Sequence, residues 1–295
     1  MKEIVVISGK GGTGKTSLTA SLAQLAEKSI VAADCDVDAA DMHLLLHPDF
    51  AHSADFFSGV KAEINADLCI SCGKCYEVCR FNAIKQNASN HSVINLNCEG
   101  CSYCSRVCPA NAIEIVEQNV GNLYISRTKN DFTLVHAKLA IGAENSGKLV
   151  AKVKNEAKKI AGEQEKDFVI VDGSPGVGCP VVSSLSGADF VLLVTEPSQS
   201  GFHDLKRVIE LVQNFHLKAG CVINKFDLNT RISMQIEDFL VEQNIALIAK
   251  LPYDETFTKA MTEGQTIVEY KPSALRGSVE KIWENIQKLI KIKGE

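Results

Sequence analysis

Residues 2–16 read Lys2-Glu3-Ile4-Val5-Val6-Ile7-Ser8-Gly9-Lys10-Gly11-Gly12-Thr13-Gly14-Lys15-Thr16. The run Ile4 to Ile7 fits a short buried strand, and Leu18, Leu22 and Leu25 recur at helical spacing across Thr16 to Lys28. Strand, glycine loop and helix in that order form the context in which Gly9-x4-Gly14-Lys15-Thr16 acts as a phosphate-binding loop. The glycines let backbone N–H groups close around phosphate oxygens, and the helix N-terminus adds positive potential. Lys15 reaches the terminal phosphates and Thr16 binds magnesium. The expected nucleotide contacts are therefore Gly9, Lys10, Gly11, Gly12, Thr13, Gly14, Lys15 and Thr16. A chance glycine-rich turn is the competing account, and the flanking strand and helix weigh against it.

Outward from this loop the βα rhythm continues. Ile30 to Ala33 is a second apolar strand ending in Asp34-Cys35-Asp36, and Ala39 to Leu46 continues as a helix. The pattern resumes with apolar strands at Phe168–Val171, Phe190–Thr195, Gly220–Asn224 and Ala246–Leu251, each followed by loop and helix signals. Alternation of this kind predicts a mainly parallel sheet covered by helices on both faces, and with the phosphate-binding loop after its first strand the expected fold is an α/β P-loop NTPase. Ligands of such sheets sit at the carboxyl ends of the strands. Phe168-Val169-Ile170-Val171-Asp172 delivers one carboxylate to that end, and Asp172 is expected to hold hydrated magnesium together with Thr16.

Between these stretches the rhythm disappears, and eight of the eleven cysteines appear within 64–118. Cys69 to Ile84 and Cys98 to Ile113 match at every cysteine and again at Asn-Ala-Ile, so the segment is an internal duplication. The expected organisation is a first part of the ATPase core at 1–63, an inserted α+β module at 64–118 and the second part of the core at 119–295. A hairpin-like pair, Asn122–Ser126 and Phe132–His136, leads back to the core through a helix starting near Ser146. Each run has the C-x2-C-x2-C-x3-C spacing of bacterial ferredoxins, in which the fourth cysteine ligates the other cluster. One [4Fe–4S] cluster then takes Cys69, Cys72, Cys75 and Cys108, and a second takes Cys79, Cys98, Cys101 and Cys104. Structural zinc is the competing account, but it uses two pairs of ligands around a finger rather than paired triplets. Arg80 stands where the first run would carry the proline that follows Cys108 in the second.

Lys10-Gly11-Gly12-Thr13-Gly14-Lys15-Thr16 resembles the deviant phosphate loop of the MinD/ParA group of ATPases, which is related to the nitrogenase iron protein and the Mrp-type iron–sulfur carriers. The resemblance covers nearly the whole chain outside the insertion. It implies that Lys10 crosses a dimer interface to the partner's nucleotide, with a solvated surface lysine as the alternative. It implies that Asp36 orients the attacking water and that residues 172–176 form a second switch. Lys10, Lys15, Asp36 and Asp172 make up the catalytic set so implied, with Asp34 a magnesium-shell or structural carboxylate. Asn224 and Pro252 resemble the residues that contact the adenine, although Asn224 also suits a turn or helix cap.

Composition sets further bounds. At 45% hydrophobic and 23% charged the chain is expected to fold as an ordinary globular protein, and a net charge of -5 argues against a general nucleic-acid partner. No leader and no apolar run of about 18 residues is visible, so a cytoplasmic location is expected. There the cytosol keeps thiols reduced, which favours metal ligation over disulfides. Cys179 lies where the nitrogenase iron protein carries an intersubunit cluster ligand, but a packed or switch-coupled thiol is preferred. His43 and His47 share a helix face as a surface pair rather than a metal site. The amphipathic stretch Leu275 to Ile290 is read as docked on the core in preference to a membrane tail. The function expected is an ATP-hydrolysing iron–sulfur protein that couples dimer switching to electron transfer or metal-cofactor maturation. Its partners would be a second copy or a related ATPase, and a redox or metal-cofactor protein. The rivals are a cluster scaffold or carrier, and a MinD-like spatial organiser with redox-sensing clusters.

Overall fold

A computed structural model describes residues 1–87, 89–140, 145–271 and 274–291. The strands are β1 (Lys2–Ile7), β2 (Ile30–Asp34), β3 (His52–Ile64), β4 (Ile84–Gln86), β5 (His91–Val93), β6 (Ile113–Arg127), β7 (Thr133–Leu139), β8 (Phe168–Asp172), β9 (Phe190–Thr195), β10 (Ala219–Asn224) and β11 (Ala246–Leu251). They lie in two compact units. The first comprises 1–54, 122–139 and 146–295, and the second comprises 55–121 and 140–145.

In the first unit β1 lies between β8 and β9, with β10 and β11 beyond β9 and β2 and β7 beyond β8. Each of these pairings is parallel. Helices cover both faces of the sheet. Central strands buried on both faces must read as nearly continuous apolar runs, and β1, β2, β8 and β9 do. Helix Lys15–Leu25 packs closely because Ser17, Thr19, Ala20, Ser21 and Ala23 on its buried side are small. Helix Arg276–Lys291 joins the same core through Val279, Ile282 and Ile286, all fully buried with Ile4, Leu22 and Leu192. Its apolar stripe is thus spent on the core. No helix among the described residues is long and apolar enough to cross a membrane.

Two strands are longer than their apolar signals. β6 runs from Ile113 to Arg127, although Glu114, Glu117, Gln118 and Asn119 interrupt its apolar pattern, and β3 carries mostly exposed or half-exposed side chains along His52–Ile64. Periodicity reports burial, so strands with two solvated faces leave little trace in it.

In the second unit the two cysteine runs adopt matching backbones. Lys74–Val78 and Tyr103–Val107 are equivalent short helices. Left-handed residues recur at equivalent places, Ser71 with Gly100, Gly73 with Ser102, and Asn82 with Asn111. Gly100 is required by contact as well, since a Cβ there would lie 2.1 Å from the Val60 carbonyl oxygen. β4 and β5 form a separate antiparallel pair in the register Ile84 to Val93 and Gln86 to His91.

His136 on β7 stacks on Tyr124 at 5.1 Å, meets the edge of Phe50 at 5.0 Å and shares a 3.0 Å hydrogen bond with Ser126 Oγ. Burial, reinforced by His43, lowers its pKa from 6.5 to about 4. The stability contributed by the neutral ring is fully present above pH 6.5 and is lost as pH falls through 4. We expect His136→Phe to remove an acid-induced loss on the order of 3 kcal/mol between those limits. Denaturant titrations of both proteins across that window check this, and identical slopes would mean that the ring does not carry the effect.

Candidate functional site

The carboxyl ends of β1, β2 and β8 converge because their registers align Val6 and Asp34 with Asp172. Backbone bonds then tie the loops together, from Cys35 N–H to the Asp172 carbonyl at 2.8 Å and from Gly176 N–H to the Ser8 carbonyl at 2.9 Å. Ser174 Oγ donates to the Cys35 carbonyl at 2.8 Å. The result is a cavity of about 400 Å3 lined by the phosphate loop, Asp36, Asp38, Asp41 and Ser174 among others. The helix from Lys15 to Leu25 begins at this cavity, where its first N–H groups have no intrahelical partner.

Asp172 is fully buried and collects three partners. Lys15 Nζ stands 2.9 Å from Oδ2, Thr16 Oγ1 donates to Oδ2 at 2.7 Å, and Thr19 Oγ1 stands 2.8 Å from Oδ1. Lys15 also lies 3.5 Å from Asp36. Burial pulls the Lys15 ammonium down, but Asp172, Asp36 and Asp34 outweigh it and hold its pKa above the ordinary lysine value. Burial, with Asp172 adding to it, raises Asp36 against the opposing pull of Lys15. Asp34 is raised well above the carboxylate range, chiefly by burial and then by Asp172, while its oxygens accept from the Asp36 and Met42 amides. Three carboxylates face one lysine, an excess that suits a divalent cation. Thr13 Oγ1 is buried at the same cavity with no hydrogen-bond partner among the described residues, as a polar atom awaiting a ligand would be. Thr19, four residues after Lys15 on one helix face, is a partner that the loop motif does not announce.

Lys10 and Asn224 have partners inside the chain. Lys10 Nζ lies 2.6 Å from Glu196 Oε1 and donates to Ser198 Oγ at 3.0 Å, and Lys225 reaches the same Glu196 at 3.0 Å and the Gly12 carbonyl at 3.0 Å. Asn224 Nδ2 donates to the Thr13 carbonyl at 2.8 Å, and its Oδ1 accepts from the Lys225 amide at 3.0 Å. Gly14, at φ 88°, leaves room for that side chain, since a Cβ there would meet Nδ2 at 2.5 Å. Asn224 and Pro252 are not among the residues lining the cavity.

In the second unit Cys69, Cys72, Cys75 and Cys108 line one small cavity together with His91, Ile64 and Ile113. Cys79, Cys98 and Cys104 pack around the same small apolar core of Ala62, Ile84 and Ile113. Burial raises the Cys75 thiol, with Cys69 and Cys72 adding to it, and burial raises Cys104, with Cys98 and Cys101 adding to it. The fourth cysteines are matched too, Cys79 Sγ accepting from the Ala83 amide and Cys108 Sγ from the Ala112 amide, both at 3.3 Å. Cys79 has φ -76° and ψ 106°, and Cys108 has φ -75° and ψ 110°, so exposed Arg80 does not alter the turn. Among the described residues no three His, Cys, Asp or Glu side chains are grouped for a single metal ion.

The other cysteines stand apart. Cys35 and Cys221 are fully buried thiols whose pKa values burial pushes up, and Cys179 is exposed at the start of helix Cys179–Leu185. His47 shares a 2.7 Å hydrogen bond with the Gly264 carbonyl, and His43 lies edge-on to Phe50.

Comparison with known proteins agrees with this geometry. The profile of the CobQ/CobB/MinD/ParA nucleotide binding domain, CbiA, matches residues 4–267. The chain is 33% identical over 290 residues to the uncharacterized protein MJ0578 of Methanocaldococcus jannaschii, covering 98% of this chain and 97% of that one. It is 26% identical over 274 residues to the septum site-determining protein MinD of Synechocystis, covering 90% of this chain and 81% of that one. In fold it is similar to MinD of Pyrococcus horikoshii complexed with Mg-ADP, with a TM-score of 0.59 at 20% identity over 100% of this chain and 99% of that one. With strand order, loop and profile in agreement, the chain belongs to the CobQ/CobB/MinD/ParA nucleotide-binding family.

Proposed function

We propose that this protein is an ATP-binding and ATP-hydrolysing iron–sulfur protein in which nucleotide-driven dimer switching is coupled to electron transfer or metal-cofactor maturation. The carrying observation is that Cys108, from the second run, lines the same cavity as Cys69, Cys72 and Cys75 of the first. That crossing is the ligand exchange that the spacing of a two-cluster ferredoxin calls for.

The donor set fits [4Fe–4S] clusters. Cys108 of the second run shares a cavity with Cys69, Cys72 and Cys75 of the first, and amides point at Cys79 and Cys108. A single tetrahedral zinc, with Zn–S bonds of about 2.3 Å, would need tighter groups. We assign Cys69, Cys72, Cys75 and Cys108 to one cluster and Cys79, Cys98, Cys101 and Cys104 to the other, within an inserted module at 64–118. Bound clusters would supply one-electron chemistry.

For the nucleotide we assign Lys15 to the terminal phosphates, Thr16 and Asp172 to magnesium, and Asp36 to the attacking water. Lys15, Thr16, Asp36 and Asp172 contact one another, so ATP and magnesium would exchange one set of partners for another. Lys10 would have to leave Glu196 before reaching a second subunit, identical or related. That exchange makes a closed dimer dependent on ATP rather than merely compatible with it.

Anaerobically purified or reconstituted protein is expected to carry about eight irons per chain. Stoichiometric zinc with no iron after reconstitution would falsify the cluster assignment. Lys15→Ala is expected to abolish nucleotide binding, whereas Asp36→Ala should retain ATP and lower turnover roughly a hundredfold or more. Binding by calorimetry and phosphate release separate the two effects, and wild-type turnover in Asp36→Ala would remove that residue from the mechanism.

A further inference from the structure

His91 is 6% exposed, and neither ring nitrogen has a hydrogen-bond partner among the described residues. Leaving a buried imidazole N–H without an acceptor costs roughly 1–3 kcal/mol, so such a group calls for an explanation. Its surroundings supply one. His91 lines the cavity of Cys69, Cys72, Cys75 and Cys108, and its backbone amide is directed at the Cys69 sulfur.

The strand geometry fixes this placement. In β5, His91 and Val93 share one face because side chains alternate along a strand, and Val93 packs on the apolar core beneath the cysteines. Ser92 faces the other way and accepts from Asn87 at 3.3 Å. Pairing of His91 with Gln86 in the β4–β5 ladder holds the backbone in register. His91 is therefore held beside the quartet by sheet geometry rather than by a mobile loop. The duplication does not repeat it, since His91 stands as far before Cys98 as Ala62 stands before Cys69.

We propose that the His91 imidazole N–H donates a hydrogen bond to a sulfur of the cluster held by Cys69, Cys72, Cys75 and Cys108, raising that cluster's reduction potential and making the two clusters inequivalent. The inference rests on the cluster assignment above. A neutral imidazole always presents one N–H, and a cluster sulfur or cysteine thiolate is the acceptor that the cavity offers. Each added electron increases negative charge on the sulfurs, so a donor there stabilises the reduced form more than the oxidised one. Hydrogen bonds to sulfur are among the determinants of cluster potential. At the matching place of the other repeat Ala62 has no N–H to give from its side chain.

The test is an anaerobic redox titration followed by electron paramagnetic resonance on wild-type, His91→Leu and His91→Gln proteins, each with its iron content measured. In His91→Leu one cluster is expected to shift to lower potential and the other to stay in place, with iron unchanged. The reduced-to-oxidised ratio of the shifted cluster at fixed potential should fall roughly tenfold, about 59 mV for a one-electron couple. His91→Gln, which keeps an N–H donor, should recover most of the shift. In the wild type, 15N-histidine labelling should give a weak nitrogen coupling to one cluster only. Full iron content with both potentials unchanged in His91→Leu would overturn the His91 proposal alone. A coupling of the size of a direct iron–nitrogen bond, or none at all, would overturn it without the need for any variant to fold. Wild-type protein that takes up no iron would end the cluster assignment, and this proposal with it.

Discussion

The fully buried carboxylate of Asp172 governs the nucleotide end of the molecule. Placed at the end of a central strand, it must be compensated, and Lys15, Thr16 and Thr19 together do so. Removing one partner of a buried pair of this kind typically costs 3–5 kcal/mol, because the remaining charge stays out of water. Lys15 is thereby drawn onto Asp172 and Asp36. ATP and magnesium would act by exchange, the phosphates taking Lys15 and the metal taking Thr16 and Asp172. A site that holds its ligand groups against each other is poised to change state, since ligand and ligand-free arrangements use the same atoms differently.

A second constraint shapes the cysteine-bearing unit. Its apolar core is small, with Ala62, Ile84 and Ile113 and few others, so the cysteines themselves form much of what is packed there. The two runs solve one geometric problem in the same way, down to the left-handed residues and the amide aimed at each fourth sulfur. Symmetry at the level of ligands coexists with asymmetry next to them. Duplication tends to yield two equivalent centres, and the donor proposed at His91 would separate them.

Much of this was legible in the amino-acid order because the decisive patterns are local. The strand, glycine loop and helix at 2–25 declare themselves within one turn of periodicity, and β8, β9, β10 and β11 read as apolar runs because both of their faces are buried. The cysteine spacing likewise pairs Cys108 with Cys69, Cys72 and Cys75, which line one cavity. What escaped depends on distant neighbours. Glu196 holds Lys10 from 186 positions away, and Asn224 spends its amide on the phosphate loop, which no turn propensity announces. β3 and the first half of β6 are solvated on much of their surface and so lack an apolar signature. Arg80 looked like a departure at the end of the first run, yet Cys79 reaches the extended backbone of Cys108 without a following proline. His91 has no motif at all. Its ring is buried with no hydrogen-bond partner among the described residues, a property of tertiary packing alone.

In the proposed function nucleotide and cluster states share one free-energy balance rather than one chain only. Coupling is reciprocal, so a change in cluster potential on ATP binding requires an equal change in ATP affinity on reduction. The direct measurement is the equilibrium affinity for ATP of fully oxidised and fully reduced protein, taken anaerobically on the same iron-replete preparation. The account predicts two different dissociation constants, whose ratio equals the ATP-induced shift in the reduction equilibrium. Identical affinities in the two redox states would contradict it.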